Sequence, residues 1–483
     1  MSETTVVVRA DLPIGTISPR VYGQFAEHLG RCCYDGLWVG TKNTSIAHSG
    51  GWRTDVLQAL KKMPVPLLRW PGGCYADHYH WRDGIGTHRP VRLGMSCGLT
   101  VEDDNALGTH EFLDYCTEIG AEPYLAGNMG SGTPQELCDW MEYCNTSLNT
   151  FLSDERKSNG RNQPWNVKLW GVGNENWGCG GNYTAEQYAH EYRRYSTMLR
   201  HVDEKAELVI CGLTDDWNRV IMNALKEHLF LVDHVSVHRY WAAGPAADFG
   251  EDDYYKMIAT SAETEPFIEA TAAIIESVTR GRKKVGIALD EWGVWAPEAK
   301  PEANYEQVSP LRDAIAAAIT FEIFHRQCNV LTLANLAQVA NVLHAPVQTS
   351  GADFWCTPTY HAFNLYSPHI GATALNTIVD GTSFVLPDGT PGLSATSSAA
   401  SNGSCAISLI NRHLDQTAHV RLHGAPGTAS IGKLLTAQSP NAANSAVSPN
   451  AVAPVELEIG GDADGGWTCT IPPHSIATLT VSH

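Results

Sequence analysis

Eight apolar, β-branched segments recur through residue 337 with helical patterns between them, and this alternation restricts the fold more than any other feature. The segments are VYGQFAEHL (residues 21–29), PLLRWPGG (66–73), AEPYLAGN (121–128), VKLWGVGNE (167–175), ELVICGL (207–213), HVSVHRY (234–240), VGIALDEW (285–292) and VLTLANLA (330–337). The stretches between them, among them TDVLQALKKM, LGTHEFLDYCTEIG, TPQELCDWMEYC and TAEQYAHEYRRYSTMLRHV, carry apolar residues at helical spacing. Two have start signals: Thr133 before Pro134 with Glu136 three on, and Thr184 with Gln187 three on. Eight strand–helix alternations predict a (β/α)8 barrel with insertions. A doubly wound open sheet is disfavoured: no GxGxxG follows the first strand, and GVGNENWGCGG lacks a P-loop lysine.

The remainder of the chain has a different character. From Leu365 to His483 about 8% of residues are charged, against about 21% before it, and one of the fourteen Trp lies there. Short apolar segments (TSFVLPDG, SCAISLINR, TAHVRLHG, VELEIGG, GWTCTIPP and SIATLTVS) alternate with Gly, Pro, Asn and Ser clusters, which predicts an all-β, jelly-roll-like sandwich. The N-terminal TTVVVRAD reads as one more strand of it. The expected division is a catalytic barrel over residues 18–364 and a sandwich built from residues 1–17 plus 365–483.

Charge and cysteine usage exclude several functions. The net charge is −19 with no long Lys/Arg tract, which argues against nucleic acid and anionic membranes as partners. No run approaches 18 apolar residues, and the N-terminus has no basic region followed by an apolar one, so neither a membrane span nor a secretory signal is expected and a cytoplasmic location is. Thirteen cysteines in that setting read as reduced thiols rather than a disulfide framework. His78 and His80 near Cys74 have no second ligand cluster at zinc spacing, so no metal and no cofactor are assigned. Trp (14) outnumbers Phe (11), which suits both structural packing and a sugar-binding cleft.

Barrel enzymes place their reactive groups at the C-terminal ends of strands. Those positions here hold Glu27, Arg69, Asn128, Asn174, Glu175, His238, Tyr240, Glu291, Asn335 and Gln338. Glu175 and Glu291 each end an apolar strand and can meet only across the barrel mouth. Two facing carboxylates are the minimum for glycoside hydrolysis: one protonates the leaving oxygen, and the other attacks the anomeric carbon or activates water. Asn174 can bond a sugar hydroxyl beside the reacting carbon. Arg69 and Tyr240 can hold a carboxylate ionised and oriented. Glu27 suits gripping two sugar hydroxyls.

The strings YGQFAEHLGRC, LRWPGGCYADHYHWRDGIG, WGVGNENWGCGGN, LDEWGVW and NLAQVANVL, in this order, resemble glycoside hydrolase family 51, the retaining α-L-arabinofuranosidases of a large clan of barrel glycosidases. That resemblance implies exo-acting release of terminal α-L-arabinofuranosyl units from arabinose-containing oligosaccharides or polysaccharides by double displacement. It makes Glu175 the general acid/base and Glu291 the nucleophile, with Arg69 and Tyr240 supporting the nucleophile. Glu27, Cys74, Asn174 and Tyr240 would line the arabinose subsite, Cys74 as a packing or weakly hydrogen-bonding wall. It also implies a homo-oligomer, often a hexamer. The loop NWGCGGNY departs from many relatives, and its Trp177 and Cys179 are placed to reshape the leaving-group side; the segment FWCTPTYHAF offers no identifiable extra hydrogen-bonding residue. The rival readings are an endo-β-glucanase or β-xylosidase on the same barrel, and a non-catalytic carbohydrate-binding protein.

Overall fold

The computed structural model describes residues 3–381, 384–425, 427, 429–461 and 465–482. Within it each of the eight expected segments holds one strand of a closed barrel. In chain order these are Gly23–Phe25, Leu67–Trp70, Glu122–Gly127, Leu169–Val172, Glu207–Cys211, His234–Trp241, Gly286–Val294 and Leu331–Ala337. Every neighbouring pair is parallel, and the ring closes where Asn335 of the eighth strand pairs with Gly23 of the first. The four helices read from sequence lie at Thr54–Lys62, Thr109–Ile119, Pro134–Asn145 and Ala185–Val202. Thr184 and Gln187 exchange both bonds of a capping box. Thr133 caps the Glu136 N–H, but the Glu136 carboxylate turns instead to His80 Nδ1 at 2.8 Å.

Strand alternation arranges the barrel interior in layers. Leu67, Tyr124, Leu169, Val209, Ala288 and Leu333 pack as an apolar plug. Two residues further along their strands, Arg69 follows Leu67 and Asp290 follows Ala288, so a charged layer rests on the plug. Ser236, His238 and Tyr240 share one face of the sixth strand for the same reason. The seventh strand breaks the rule: pairing passes from Ser236↔Ala288 to His238↔Glu291, two residues opposite three. This bulge lets the adjacent Asp290 and Glu291 both reach the interior network, where a regular strand would send one of them to the helix side.

The C-terminal region is a ten-stranded mixed sheet that includes the N-terminal strand Thr4–Thr16, paired antiparallel with Thr373–Asp380 and parallel with Ala418–His423. The sheet curls on itself, enclosing Val6, Val8, Ile407, Leu422, Ile471 and Leu479 in one apolar cluster. A barrel with an all-β C-terminal domain is therefore the architecture, with the expected sandwich realised as a single curled sheet. One expected strand does not form: Thr382 and Ser383 of TSFVLPDG lie outside the described residues, and the rest makes a turn closed by the Val385–Pro391 bridge. Three strands, Thr373–Asp380, Leu393–Ala399 and Ala429–Leu435, had no sequence signal strong enough to mark them. In Leu393–Ala399 the reason is visible, because its buried Thr396 and Ser398 bond His325 and His369, so a buried strand reads as a polar loop.

One of those histidines, His325, joins the two units. His325 bonds the Tyr22 hydroxyl at 2.7 Å and Thr396 Oγ1 at 3.0 Å. His369 lies between Ser398 Oγ at 2.7 Å and Ser408 Oγ at 2.9 Å. Burial pushes His325 well below its ordinary value and His369 down to about 3. The unfolded chain therefore takes up these protons near pH ~6.5 while the folded chain resists, so this contribution to stability is complete above that pH and is lost as pH falls toward 3. The urea midpoint should drop between pH 7 and 4.5, and the double variant His325→Gln/His369→Gln should show a shallower drop; equal slopes would remove the pair as its source.

Candidate active site

At the C-terminal mouth of the barrel, Arg69 is 1% exposed and binds three strands at once. It donates to Glu291 Oε1 at 2.9 Å, to Asn174 Oδ1 at 2.6 Å and to the Asp290 carbonyl at 3.1 Å. Its Nε lies 3.7 Å from Asp290 Oδ2. Burial alone would disfavour the guanidinium, but the adjoining Asp290 and Glu291 raise its pKa. The other oxygen of Glu291 accepts from the Tyr240 hydroxyl at 2.8 Å. Arg69 and Tyr240, the expected supports, thus fix both oxygens of Glu291.

Glu175 sits in a left-handed backbone conformation, φ 43°, in a turn whose Gly178 N–H donates to its carbonyl at 2.7 Å. A non-glycine residue held there indicates a constraint imposed by the site. His238 Nδ1 lies 2.9 Å from Glu175 Oε1 and 3.5 Å from Glu291 Oε2, and its Nε2 lies 3.3 Å from Asp290 Oδ1. Burial lowers the His238 pKa, but Glu291, Asp290 and Glu175 outweigh it and raise it to about 10, so the ring is an imidazolium at neutral pH. One oxygen each of Glu175 and Glu291 lie within 4.8 Å of each other and of a His238 nitrogen.

Asp290, absent from the sequence-based candidates, anchors this cluster. It accepts from Ser236 Oγ at 2.5 Å and the Tyr124 hydroxyl at 2.8 Å, and although burial opposes its charge, Arg69 and His238 hold its pKa below the usual carboxylate range. Asp77 was also missed. It accepts from the N–H groups of Met129, Gly130 and Asn174, tying together the loops after the second, third and fourth strands. Neither residue stands out in sequence: Asp290 reads as the outward neighbour of Glu291, and Asp77 as one loop acid among many. Asn174 itself is 2% exposed, and its Nδ2 has no partner among the described residues, leaving a donor toward the mouth.

The other candidates divide. Both oxygens of Glu27 are already engaged, Oε1 by the N–H groups of Gly73 and Tyr75 and by Ser96 Oγ, Oε2 by Gln338 Nε2 at 2.9 Å. Burial and then Glu291 push its pKa up to about 7, against those donors. The side chain of Asn128 is consumed by the Tyr79 carbonyl of the loop after the second strand and by Ser131 and Gly132 in its own loop. Asn335 bonds the Gln24 carbonyl within the barrel wall. Trp177 is half-buried in the loop after Glu175. Trp70, Trp81, Trp170, Trp241 and Trp292 are fully buried, so much of the tryptophan surplus serves packing. In FWCTPTYHAF, Thr359 bonds His344 and the Cys356 carbonyl accepts from Asn444, both away from the carboxylates. The one clear correction concerns cysteine: Cys74 and Cys179 form a disulfide with Cα atoms 5.5 Å apart, while the other described cysteines are free. The loops after the second and fourth strands bring together sulfurs 105 residues apart, which no spacing count reveals. Cys74 consequently has no S–H to donate. His78 and His80 belong to neither of the described groups able to hold a metal ion.

Two glutamates with oxygens this close, at the ends of the fourth and seventh strands of a (β/α)8 barrel, define a glycoside hydrolase with the short carboxylate separation of the retaining class, about 5 Å. Models of the alpha-L-arabinofuranosidase C-terminal domain and the alpha-L-arabinofuranosidase 1 domain match residues 290–475 and 59–249. Over 98% of its length the chain is 39% identical to an intracellular exo-alpha-L-arabinofuranosidase of Bacteroides ovatus, of which it covers 95%. It superposes on the crystal structure of the GH51 arabinofuranosidase from Xanthomonas axonopodis pv. citri with TM-score 0.93 and 36% identity, each chain fully covered. With the arabinose complex of the Thermotoga maritima alpha-L-arabinofuranosidase the TM-score is 0.89 at 32% identity, covering 99% of this chain and 100% of the other. The chain belongs to glycoside hydrolase family 51, the α-L-arabinofuranosidases.

Gly73 shows how tightly the surroundings of Glu291 are built. A Cβ there would stand 2.7 Å from Glu291 Oε1, an atom held by Arg69 and unable to yield freely. Gly73→Ala should therefore lower kcat/KM on the order of 10²-fold, as displacement of a reacting group by about 1 Å does, with little change in the denaturation midpoint. Activity within twofold of wild type would show that Glu291 is less tightly constrained than these contacts indicate.

Proposed function

We propose that the chain is an exo-acting, retaining α-L-arabinofuranosidase in which Glu291 is the nucleophile and Glu175 the general acid/base. The observation that carries this reading is the separation of at most 4.8 Å between oxygens of the two carboxylates, which matches the roughly 5 Å of retaining pairs and falls short of the roughly 6.5–9.5 Å of inverting ones. Glu291, with Arg69 on one oxygen and Tyr240 on the other, is the carboxylate held and aimed. It attacks the anomeric carbon of a terminal arabinofuranosyl unit while the Glu175 proton passes to the departing oxygen. Glu175, its side chain 22% exposed against 8% for Glu291, then takes a proton from water, which displaces Glu291 and releases arabinose with its configuration retained. The unpartnered Asn174 Nδ2 is the donor to the hydroxyl beside the reacting carbon, an interaction that strengthens as positive charge develops on the ring.

Glu27, Cys74 and Trp177 belong to the same reading as subsite walls, Glu27 offering the one oxygen that accepts a single protein donor. The exo-acting relative from Bacteroides ovatus, described as intracellular, supports both an exo mode and an intracellular site of action. No described helix is long and apolar enough to cross a membrane. A homo-oligomer, often a hexamer in this family, completes the proposal, and sedimentation analysis measures it.

Aryl α-L-arabinofuranosides should be cleaved and aryl β-glucosides and β-xylosides left intact; the reverse preference would favour the β-glycosidase reading, and no hydrolysis at all a binding protein. Glu291→Ala should abolish turnover even with an activated aryl leaving group. Glu175→Ala should slow poor leaving groups by about 10²–10⁴-fold and activated ones far less. Equal losses on both would contradict the assignment of Glu175.

A further inference from the structure

The disulfide lies against the carboxylate proposed as the acid. Glu175 Oε2 is 3.9 Å from Cys74 Sγ and 3.8 Å from Cys179 Sγ, and Cys97 Sγ lies 4.0 Å from Cys74 Sγ on its far side. Two sulfurs and one carboxylate oxygen thus converge within 4.8 Å, with a third sulfur adjoining. Around a tetrahedral zinc ion with bonds of about 2.3 Å to sulfur and 2.0 Å to oxygen, ligands stand roughly 3.5–3.8 Å apart. Breaking the S–S bond frees Cys74 and Cys179 to separate toward that spacing, and the existing S–O distances need to contract only by tenths of an ångström.

We infer that Cys74, Cys179 and Glu175 form a thiol-dependent site for a soft divalent cation such as Zn²⁺ or Cd²⁺, closed while the disulfide stands and opened by its reduction. The chemistry balances with an external dithiol as the reductant. Its thiolate attacks the Cys179 sulfur, the less buried of the two, and Cys74 leaves as a thiolate that takes up a proton. The second thiol of the reductant then resolves the mixed disulfide, so the reductant departs as a cyclic disulfide and both cysteines remain as thiols. Cation binding displaces the two thiol protons, and the proton of Glu175 where it carries one, and places Glu175 Oε2 on the ion as third ligand, with water completing the tetrahedron.

The consequence for activity rests on Glu175 being the general acid; the binding rests on geometry alone. With the cation bound, Glu175 no longer delivers a proton to the leaving oxygen. With the disulfide intact, the same sulfurs are poor ligands and the acid is free. In the proposed intracellular setting the dithiol state is the one that reducing conditions favour, so the acid would be exposed to cation control there.

The test uses the full chain, reduced with a dithiol and desalted or left oxidised, with Cd²⁺ as the probe. Reduction should add two titratable thiols. The reduced chain should bind one more Cd²⁺ than the oxidised chain, with a thiolate-to-Cd²⁺ ultraviolet charge-transfer band. It should lose on the order of 10²-fold in activity on a poor leaving group, reversibly with a chelator, while the oxidised chain at the same Cd²⁺ concentration keeps its activity. Reduced Cys179→Ser, compared with its own cation-free rate, should lose both the band and the inhibition. The inference is overturned if the thiol count does not rise, if both redox forms bind Cd²⁺ alike, or if Cys179→Ser retains the band. A band without inhibition would support the site and instead count against Glu175 as the acid.

Discussion

A single buried guanidinium makes the catalytic end of this barrel possible. Arg69 rises from the second strand into a layer that also holds Asp290 and Glu291 from the seventh and Asn174 from the fourth. Unpaired, any one of these charges would cost several kcal/mol to bury. Paired with a planar, permanently charged fork, the carboxylates are fixed in direction. His238 supplies a second cation between Glu175, Asp290 and Glu291, so two positive groups are shared among three carboxylates. The arrangement fixes Glu291 more firmly than Glu175, which suits one group that attacks and another that moves a proton.

Much of this was legible in the order of residues. Eight apolar segments located eight barrel strands because a buried parallel strand is a near-continuous apolar run and the helices between carry another period. Arg69, Asn174, Glu175, His238, Tyr240 and Glu291 could be named because strand ends in this fold face the mouth. What stayed hidden depended on three-dimensional pairing. The seventh-strand bulge that brings Glu291 inward beside Asp290 comes from a register shift between strands. Asp77 acts on Asn174 from 97 residues away. Strand Leu393–Ala399 looks like a loop because its polar side chains are satisfied by two buried histidines, His325 and His369.

The cysteines show the same limit in chemical form. Counting them by compartment treats each thiol as independent, whereas the loops after the second and fourth strands meet above Glu175 and pair two of them. A wall expected to pack against sugar thereby becomes a covalent tie between the loop that carries Gly73 and the loop that carries the acid/base candidate. The curled C-terminal sheet stands apart from this chemistry. Its contribution is to cover the helix Leu311–Arg326 and, through the bond of His325 to Thr396, to lock onto the barrel.

The most direct test of the central claim is the stereochemistry of transfer. Cleavage of an aryl α-L-arabinofuranoside in the presence of methanol, followed by proton NMR, reads the anomeric configuration of the methyl glycoside before any mutarotation intervenes. Attack by Glu291 and then by methanol from the opposite face predicts methyl α-L-arabinofuranoside as the sole transfer product. The β anomer would show a single displacement and contradict the account.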